Sequence, residues 1–380
     1  MALASRRSTR ALCDVVSRTT FGRRFLPVAV ADPIAKVSSI RGVSSSACIY
    51  ASIDKKTELA MIKDLREKTG APLMDVKKAL NTAEFDLDKA YGELRKRGLA
   101  AASKKAGRVA AEGLIGVRVS ECGQRAGIVE VNAETDFVSR NEQFLQLVAD
   151  AAQAVVESTG ASSVPSGEID LRTLEHLAMP AGAATPGATL GEAAAATAAT
   201  VRENIKMRRA YIMTASGAGE VLGHYVHGAV AAGAGRQACV VKVNSREGGD
   251  IDVDKAKEIA NKVAMHAVAV APRFLNPENI PSKIVDEEMN ILKAQTEGTG
   301  KPENVVEKIV AGRMRKFHEE SCLVKQKFVM DDGKTVEQWV DGEIGGLVVG
   351  KFARLKVGEG IEIEVKDFAA EVAATVAETK

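Results

Sequence analysis

The sequence predicts an α+β protein. It reads as an N-terminal three-helix module, then two related subdomains with small antiparallel sheets and packed helices, plus a protruding helical hairpin. Three observations lead there. Helical periodicity fills residues 54–98, whereas after Gly113 the apolar period falls to two. The runs Ile128-Val-Glu-Val-Asn132 and Val240-Val-Lys-Val-Asn244 resemble each other, and each precedes a helical stretch. Ile284, Leu292, Val306, Ile309 and Phe317 fall at helical spacing on either side of Glu297-Gly-Thr-Gly-Lys-Pro302, which breaks the pattern into two arms.

Residues 1–50 differ in kind from the rest. They hold eight basic residues, two acids and eight serines. Arginine-rich, serine-rich, acid-poor sequence with interspersed apolar residues is the composition of an organelle transit peptide. Arg41-Gly-Val-Ser-Ser-Ser46 is a candidate cut region. Six arginines crowd the first 25 residues, which favours the mitochondrial matrix, with plastid as the alternative destination. A disordered basic tail is the competing reading.

The three-helix module follows over 54–98. Leu59, Ile62 and Leu65 mark a first helix closed by Thr69-Gly70, and Pro72 opens a second with Val76, Ala79 and Leu80 inside. Asp86 caps a third, with Leu87, Ala90, Tyr91 and Leu94 on its inner face and Gly98 at its end. Residues 99–112 read as a basic linker, and the strip 95–108 carries six cations without interleaved aromatics. One reading is a phosphate-contacting strip on RNA; the other, favoured here, is cations at a helix C-terminus running into solvated chain.

The first α/β subdomain, 113–200, contains a hairpin from Leu114–Ser120 and Ile128–Asn132 and a helix from about Asn141 to Glu157, for which Asp136 is a possible cap. It ends in an alanine-rich stretch, part linker and part helix. The second, 201–365, contains a hairpin from Val221–Val230 and Ala238–Asn244 around Gly233-Ala-Gly-Arg236, a helix over 253–270, the helical hairpin 281–319 and a strand over 347–357. Residues 366–380 read as a C-terminal helix.

Composition limits the chemistry. The 380 residues have a formal net charge of +2, but residues 1–50 contribute +6, so the remainder is mildly acidic at −4. That suits a protein-binding factor better than a nucleic-acid binder. No apolar run is long enough to span a membrane. Five cysteines show no CxxC spacing, and His224 and His227, at i and i+3 on a strand, project to opposite faces. No metal site, cofactor site or catalytic constellation emerges. Gly233-Ala-Gly-Arg-Gln-Ala238 matches a dinucleotide pattern but opens no helix, so no nucleotide site is assigned. One corner stands out. Glu134-Thr-Asp-Phe-Val-Ser-Arg140 joins a strand end to a helix start, and Phe137 there is either tucked into its own core or offered to a partner.

Several segments together resemble elongation factor Ts. Leu65-Arg-Glu-Lys-Thr-Gly-Ala-Pro-Leu-Met-Asp-Val-Lys-Lys-Ala-Leu80 is similar to its first signature and Val129-Glu-Val-Asn-Ala-Glu-Thr-Asp-Phe-Val-Ser-Arg140 to its second. Further similarity lies in Met265-His266, Arg313-Met-Arg-Lys-Phe317, Phe328-Val-Met330 and Val357-Gly-Glu-Gly-Ile361. The resemblance implies a guanine-nucleotide exchange factor for elongation factor Tu, not an enzyme, binding its partner nucleotide-free or GDP-bound. It implies that the N-terminal module, similar in outline to ubiquitin-associated domains, touches the partner's nucleotide domain through Leu73 and Met74. Thr135, Asp136, Phe137 and Val138 would reach the helices beside the partner's magnesium site, with Phe137 as wedge and Asp136 supporting it. His266 would be a further contact, although its place on the stripe Ile259, Val263, His266, Val270 reads equally as a core histidine.

Overall fold

The computed structural model describes residues 54–69, 71–158, 167–183, 185, 187–217, 219–249, 251–296 and 302–362. The expected transit peptide, Gly70, most of the break at 297–302 and the expected C-terminal helix lie outside the described residues.

Helices α1 (Lys55–Thr69), α2 (Leu73–Thr82) and α3 (Leu87–Lys105) enclose a small core of Ile62, Leu65, Val76, Ala79, Leu80, Ala90 and Leu94. Asp86 caps α3, its Oδ1 accepting from the Lys89 N–H at 3.0 Å. Leu59 and Tyr91, expected inside, are exposed, because three short helices bury only a narrow stripe each. Helix α3 also runs past Gly98, where a stop was expected.

Strands β1 (Glu112–Val119) and β2 (Arg125–Ala133) form an antiparallel hairpin with Glu112 opposite Ala133. A 3₁₀ turn, Val138–Arg140, leads to α4 (Glu142–Glu157). The cap of α4 is Asn141, whose side chain accepts from the Gln143 and Phe144 N–H groups. The expected cap Asp136 is displaced from that role because the 3₁₀ turn occupies the intervening chain. Phe144, Val148, Ala151, Ala152 and Val155 of α4 pack on the sheet. A Cβ at Gly127 would lie 2.7 Å from the Val155 Cγ1, so a side chain there would lift the helix off the strands.

The alanine-rich stretch is more structured than its composition suggests. It contains β3 (Gly167–Ile169), α5 (Leu171–His176) and α6 (Leu190–Val201), the last started by a Thr189–Glu192 capping box. Strand β4 (Lys206–Thr214) follows and pairs with β2. The first sheet therefore extends past residue 200, where the sequence reading divides the subdomains. The strand was hidden because Arg208 and Arg209 interrupt its apolar alternation.

Strands β5 (Glu220–His227) and β7 (Gln237–Ser245) pair as expected. The chain between them departs from a simple hairpin: β6 (Ala234–Gly235) crosses to pair with β1, and the Val117 N–H donates to the Gly233 carbonyl at 2.7 Å. Gly233 has φ +72°, which a glycine adopts without strain. The first sheet thus has the order β3-β4-β2-β1-β6.

Helix α7 (Val253–Val270) covers the second sheet. Helices α8 (Ser282–Thr296) and α9 (Glu303–Ser321) form the hairpin around Leu292, Val310 and Met314, while Ile291 and Val305 stay exposed. A short ribbon, β8 (Lys327–Phe328) and β9 (Asp331–Thr335), precedes α10 (Val336–Glu343) and β10 (Leu347–Lys356). Strand β10 pairs with β7, giving the order β10-β7-β5.

Alternation along the strands explains the layering. Leu114, Val129 and Val131 face α4 and α6, whereas Ile115, Val117 and Ile128 face Leu222, Ala238, Val240 and Leu355 of the second sheet. On that sheet's far side Cys239, Val241 and Val243 meet α7 and α10. The order is helix, sheet, sheet, helix: an α+β molecule whose central strands are buried on both faces and so read as continuous apolar runs.

Candidate partner-binding surface

The β2–α4 corner is held by anchors on both sides of one exposed ring. Ala133 and Val138 are buried, as is Ser139, whose hydroxyl donates to the Gly113 carbonyl at 3.3 Å. Between them Phe137 is 82% exposed. Its backbone is helical (φ −61°, ψ −38°), and its carbonyl accepts from the Arg140 N–H at 3.2 Å. The upstream side is fastened by the turn after α6. The Thr135 N–H and hydroxyl donate to the two Glu203 carboxylate oxygens at 2.9 and 2.6 Å. Glu134 accepts from the Asn204 N–H at 2.6 Å and pairs with Arg108 at 3.4 Å, and the Asn204 amide donates to the Arg108 carbonyl at 2.7 Å. Asp136 is exposed, and its backbone carbonyl accepts from the Ser139 N–H at 3.2 Å. An exposed phenylalanine on so constrained a loop gains nothing for the free chain's own core.

Leu73 and Met74 occupy the first turn of α2. Pro72, with ψ 144°, sets the entry angle, so Val76, Ala79 and Leu80 turn inward while Leu73 and Met74 face solvent. The module carrying them is bound to α6. The Gly98 backbone of α3 packs so closely that a Cβ there would lie 3.0 Å from the Ala199 Cβ. Arg95 pairs with Glu192 at 2.9 Å, and the Thr200 hydroxyl donates to the Thr69 carbonyl at 3.3 Å. Helix α6 therefore touches the module from Glu192 to Thr200 and reaches the Phe137 corner through Glu203, just beyond its C-terminal end.

His266 is placed differently. It is 1% exposed, within the core beneath the second sheet. Nε2 lies 3.1 Å from the Gln326 Oε1, and Nδ1 accepts from the Val329 N–H at 3.3 Å. The ring also meets Phe328 at 5.6 Å between centroids. With Nδ1 accepting, Nε2 carries the proton, so both nitrogens of a neutral imidazole are satisfied. Burial pushes its pKa below the ordinary histidine value, with the Gln326 hydrogen bond working weakly the other way. These partners make it a buried, hydrogen-bonded histidine in the free chain. It does support the backbone leading to Val329 and Met330, both more than half exposed.

Glu203 and Asn204 escaped sequence reasoning. The available signal was a pair of polar, hydrogen-bonding residues directly after a helix and before a strand, where a turn must be fastened. The basic strip is also changed by the fold. It is largely helical, and Arg95, Arg97 and Arg108 are engaged by Glu192, Glu93 and Glu134. Among the described residues no cluster of three or more His, Cys, Asp or Glu is arranged to hold a metal. Among them no helix is long and apolar enough to cross a membrane.

Comparison with known proteins shows the family. A family model described as elongation factor TS matches residues 134–359. The mitochondrial elongation factor Ts of Ostreococcus tauri is 46% identical over 333 residues, covering 86% of this chain and 94% of the relative. Elongation factor Ts of Paramagnetospirillum magneticum is 44% identical over 321 residues, covering 83% and 96%, and that of Rhizobium etli 40% over 321 residues, covering 83% and 97%. The match extends over nearly the full length of each relative and takes in the Phe137 corner, the sheets and the helical hairpin together: the chain belongs to the elongation factor Ts family.

Proposed function

We propose that this chain is the guanine-nucleotide exchange factor for an organellar elongation factor Tu, acting in the mitochondrial matrix. The observation that carries the reading is Phe137, exposed to 82% on a corner fixed from both sides. An exchange factor must bind the nucleotide-free partner better than the nucleotide-bound one, and by reciprocity it then weakens nucleotide binding by the same factor. Burial of one phenylalanine in a partner pocket supplies about 1.5–3 kcal/mol toward that difference. In this reading Phe137 displaces the helices beside the partner's magnesium site, so that phosphate charge loses its compensation and GDP leaves. Thr135, Asp136 and Val138 shape the wedge, and Leu73 and Met74 grip the nucleotide domain. Residues 54–98 and the two sheet-bearing subdomains act as separate grips, and residues 1–50 serve as the mitochondrial address. His266 acts behind the surface, through the Val329–Met330 turn.

The test is release of labelled GDP from elongation factor Tu. The chain should accelerate release, and Phe137→Ala should reduce that acceleration about ten- to a hundredfold with the melting temperature unchanged. Full acceleration by a folded Phe137→Ala variant would remove the wedge from the mechanism.

A further inference from the structure

The geometry points to Glu203 as a positioning residue for nucleotide exchange: its carboxylate clamps Thr135 and thereby aims Phe137. This inference rests on the exchange reading above. A wedge works only if it arrives in one orientation, since a mobile ring must lose its conformational freedom on binding. The Phe137 ring is 82% exposed, so its direction is set by the backbone and by the residues on either side. Downstream, Val138 is buried in the first core and Ser139 bonds the Gly113 carbonyl. Upstream, the chain leaves β2 at Ala133 and must turn before reaching Phe137. The backbone N–H and the hydroxyl of Thr135 both point at one carboxylate, that of Glu203, at 2.9 and 2.6 Å. A bidentate, charge-assisted acceptor of this kind fixes both the position and the rotation of the residue it holds.

The clamp is itself anchored. Arg202 ends α6 in the left-handed conformation, φ 64°, with its N–H bonded to the Ala198 carbonyl. This turns the chain so that Glu203 and Asn204 meet the corner side by side. Asn204 is buried and bonds both Glu134 and the Arg108 carbonyl, which fixes the backbone carrying Glu203. Glu203 itself is only half-buried, so its carboxylate stays within reach of water.

The test compares four full-length chains in the GDP-release assay: unaltered, Glu203→Gln, Phe137→Ala and the double variant. Glutamine keeps the shape but cannot accept from both Thr135 donors with a charged carboxylate. Glu203→Gln should slow catalysed release about tenfold in the unaltered background. In the Phe137→Ala background it should change the rate less than about twofold, because a residue that acts only by aiming the ring has nothing left to aim. Equal factors in both backgrounds, or no effect in either, would overturn the assignment. Amide hydrogen exchange of the free chain supplies an independent reading. The Thr135 amide should exchange about tenfold faster in Glu203→Gln while β1 and β2 amides keep their protection. An unchanged Thr135 amide would refute the clamp. If the unaltered chain fails to release GDP, the exchange reading falls, and Glu203's role in it, while the amide measurement separately decides whether the clamp exists.

Discussion

At the scale of single residues, His266 and Phe137 show how alike two positions look in sequence and how differently the fold uses them. His266 shares a helical stripe with Ile259 and Val263, both buried, and with Val270, which is 42% exposed. Periodicity says only that the residue faces inward or lies at the edge. Its depth depends on Phe328 and Gln326, which come from a distant ribbon. The neutral, buried ring makes stability depend on pH. The folded pKa lies below the ordinary value of 6.5, so below about pH 6.5 the unfolded chain binds the proton more readily than the folded one. The ring's contribution is therefore complete above that value and is lost as pH falls, with a slope approaching about 1.4 kcal/mol per pH unit. His224, whose pKa is also lowered by burial, adds in the same direction. Urea midpoints between pH 7.5 and 5.5 should fall for the unaltered chain and fall less for His266→Gln. Equal slopes would show that His266 is protonated without penalty. The exposure of Phe137 had only half a signal: the strand-to-helix corner was legible, but its buried neighbours and Glu203 clamp were not, because the clamp comes from residues near 203.

At the scale of elements, the helices with clean apolar stripes and the strands with period two were legible, and the interrupted ones were not. Helix α4 shows its buried face in Phe144, Val148 and Val155. Strand β4 does not show itself, because two of its nine residues are arginines whose carboxylate partner sits on β2. Helix α3 is the opposite case. Gly98 reads locally as a stop, yet the helix continues, because the glycine is used for close approach to α6. A Gly98→Val substitution tests that use. Its branched side chain must push against Ala199, already 3.0 Å from the Cβ position. The cost should be about 1–3 kcal/mol, typical of overpacking, and confined to this junction. Amide exchange should accelerate in α1, α2 and α3 while the β1–β2 pairs keep their protection. A uniform loss of protection throughout the chain would mean that the module and the sheets open as one unit.

At the scale of the whole molecule, two sheets that share a middle core must also be closed at their edges, and Glu130 does this for the end of the last strand. It is fully buried on β2 and receives Arg208 at 2.9 Å and Arg209 at 2.6 Å from β4. It also accepts the Gly358 N–H at 2.9 Å, just beyond β10. The same arginines reach back to the carbonyls of Glu359, at 2.6 Å, and Lys356, at 3.1 Å. One carboxylate therefore ties β2 and β4 of the first sheet to the chain leaving the second. A buried charge held this way contributes little over an apolar replacement of the whole cluster, but removing one member leaves the others without partners. The two arginines are about a quarter exposed, so each can still reach water in part. Glu130→Ala should therefore cost about 2–4 kcal/mol, at the lower side of the range for a fully enclosed pair. The loss should appear as a lower urea midpoint with an unchanged slope. It should persist from low to high salt, because ions do not screen a group that water does not reach. Removing Glu67, whose partner Lys63 is exposed at 3.7 Å, should change the midpoint hardly at all. A Glu130→Ala effect that disappears in salt would mean that the cluster is screened like a surface ion pair and that burial does not strengthen it.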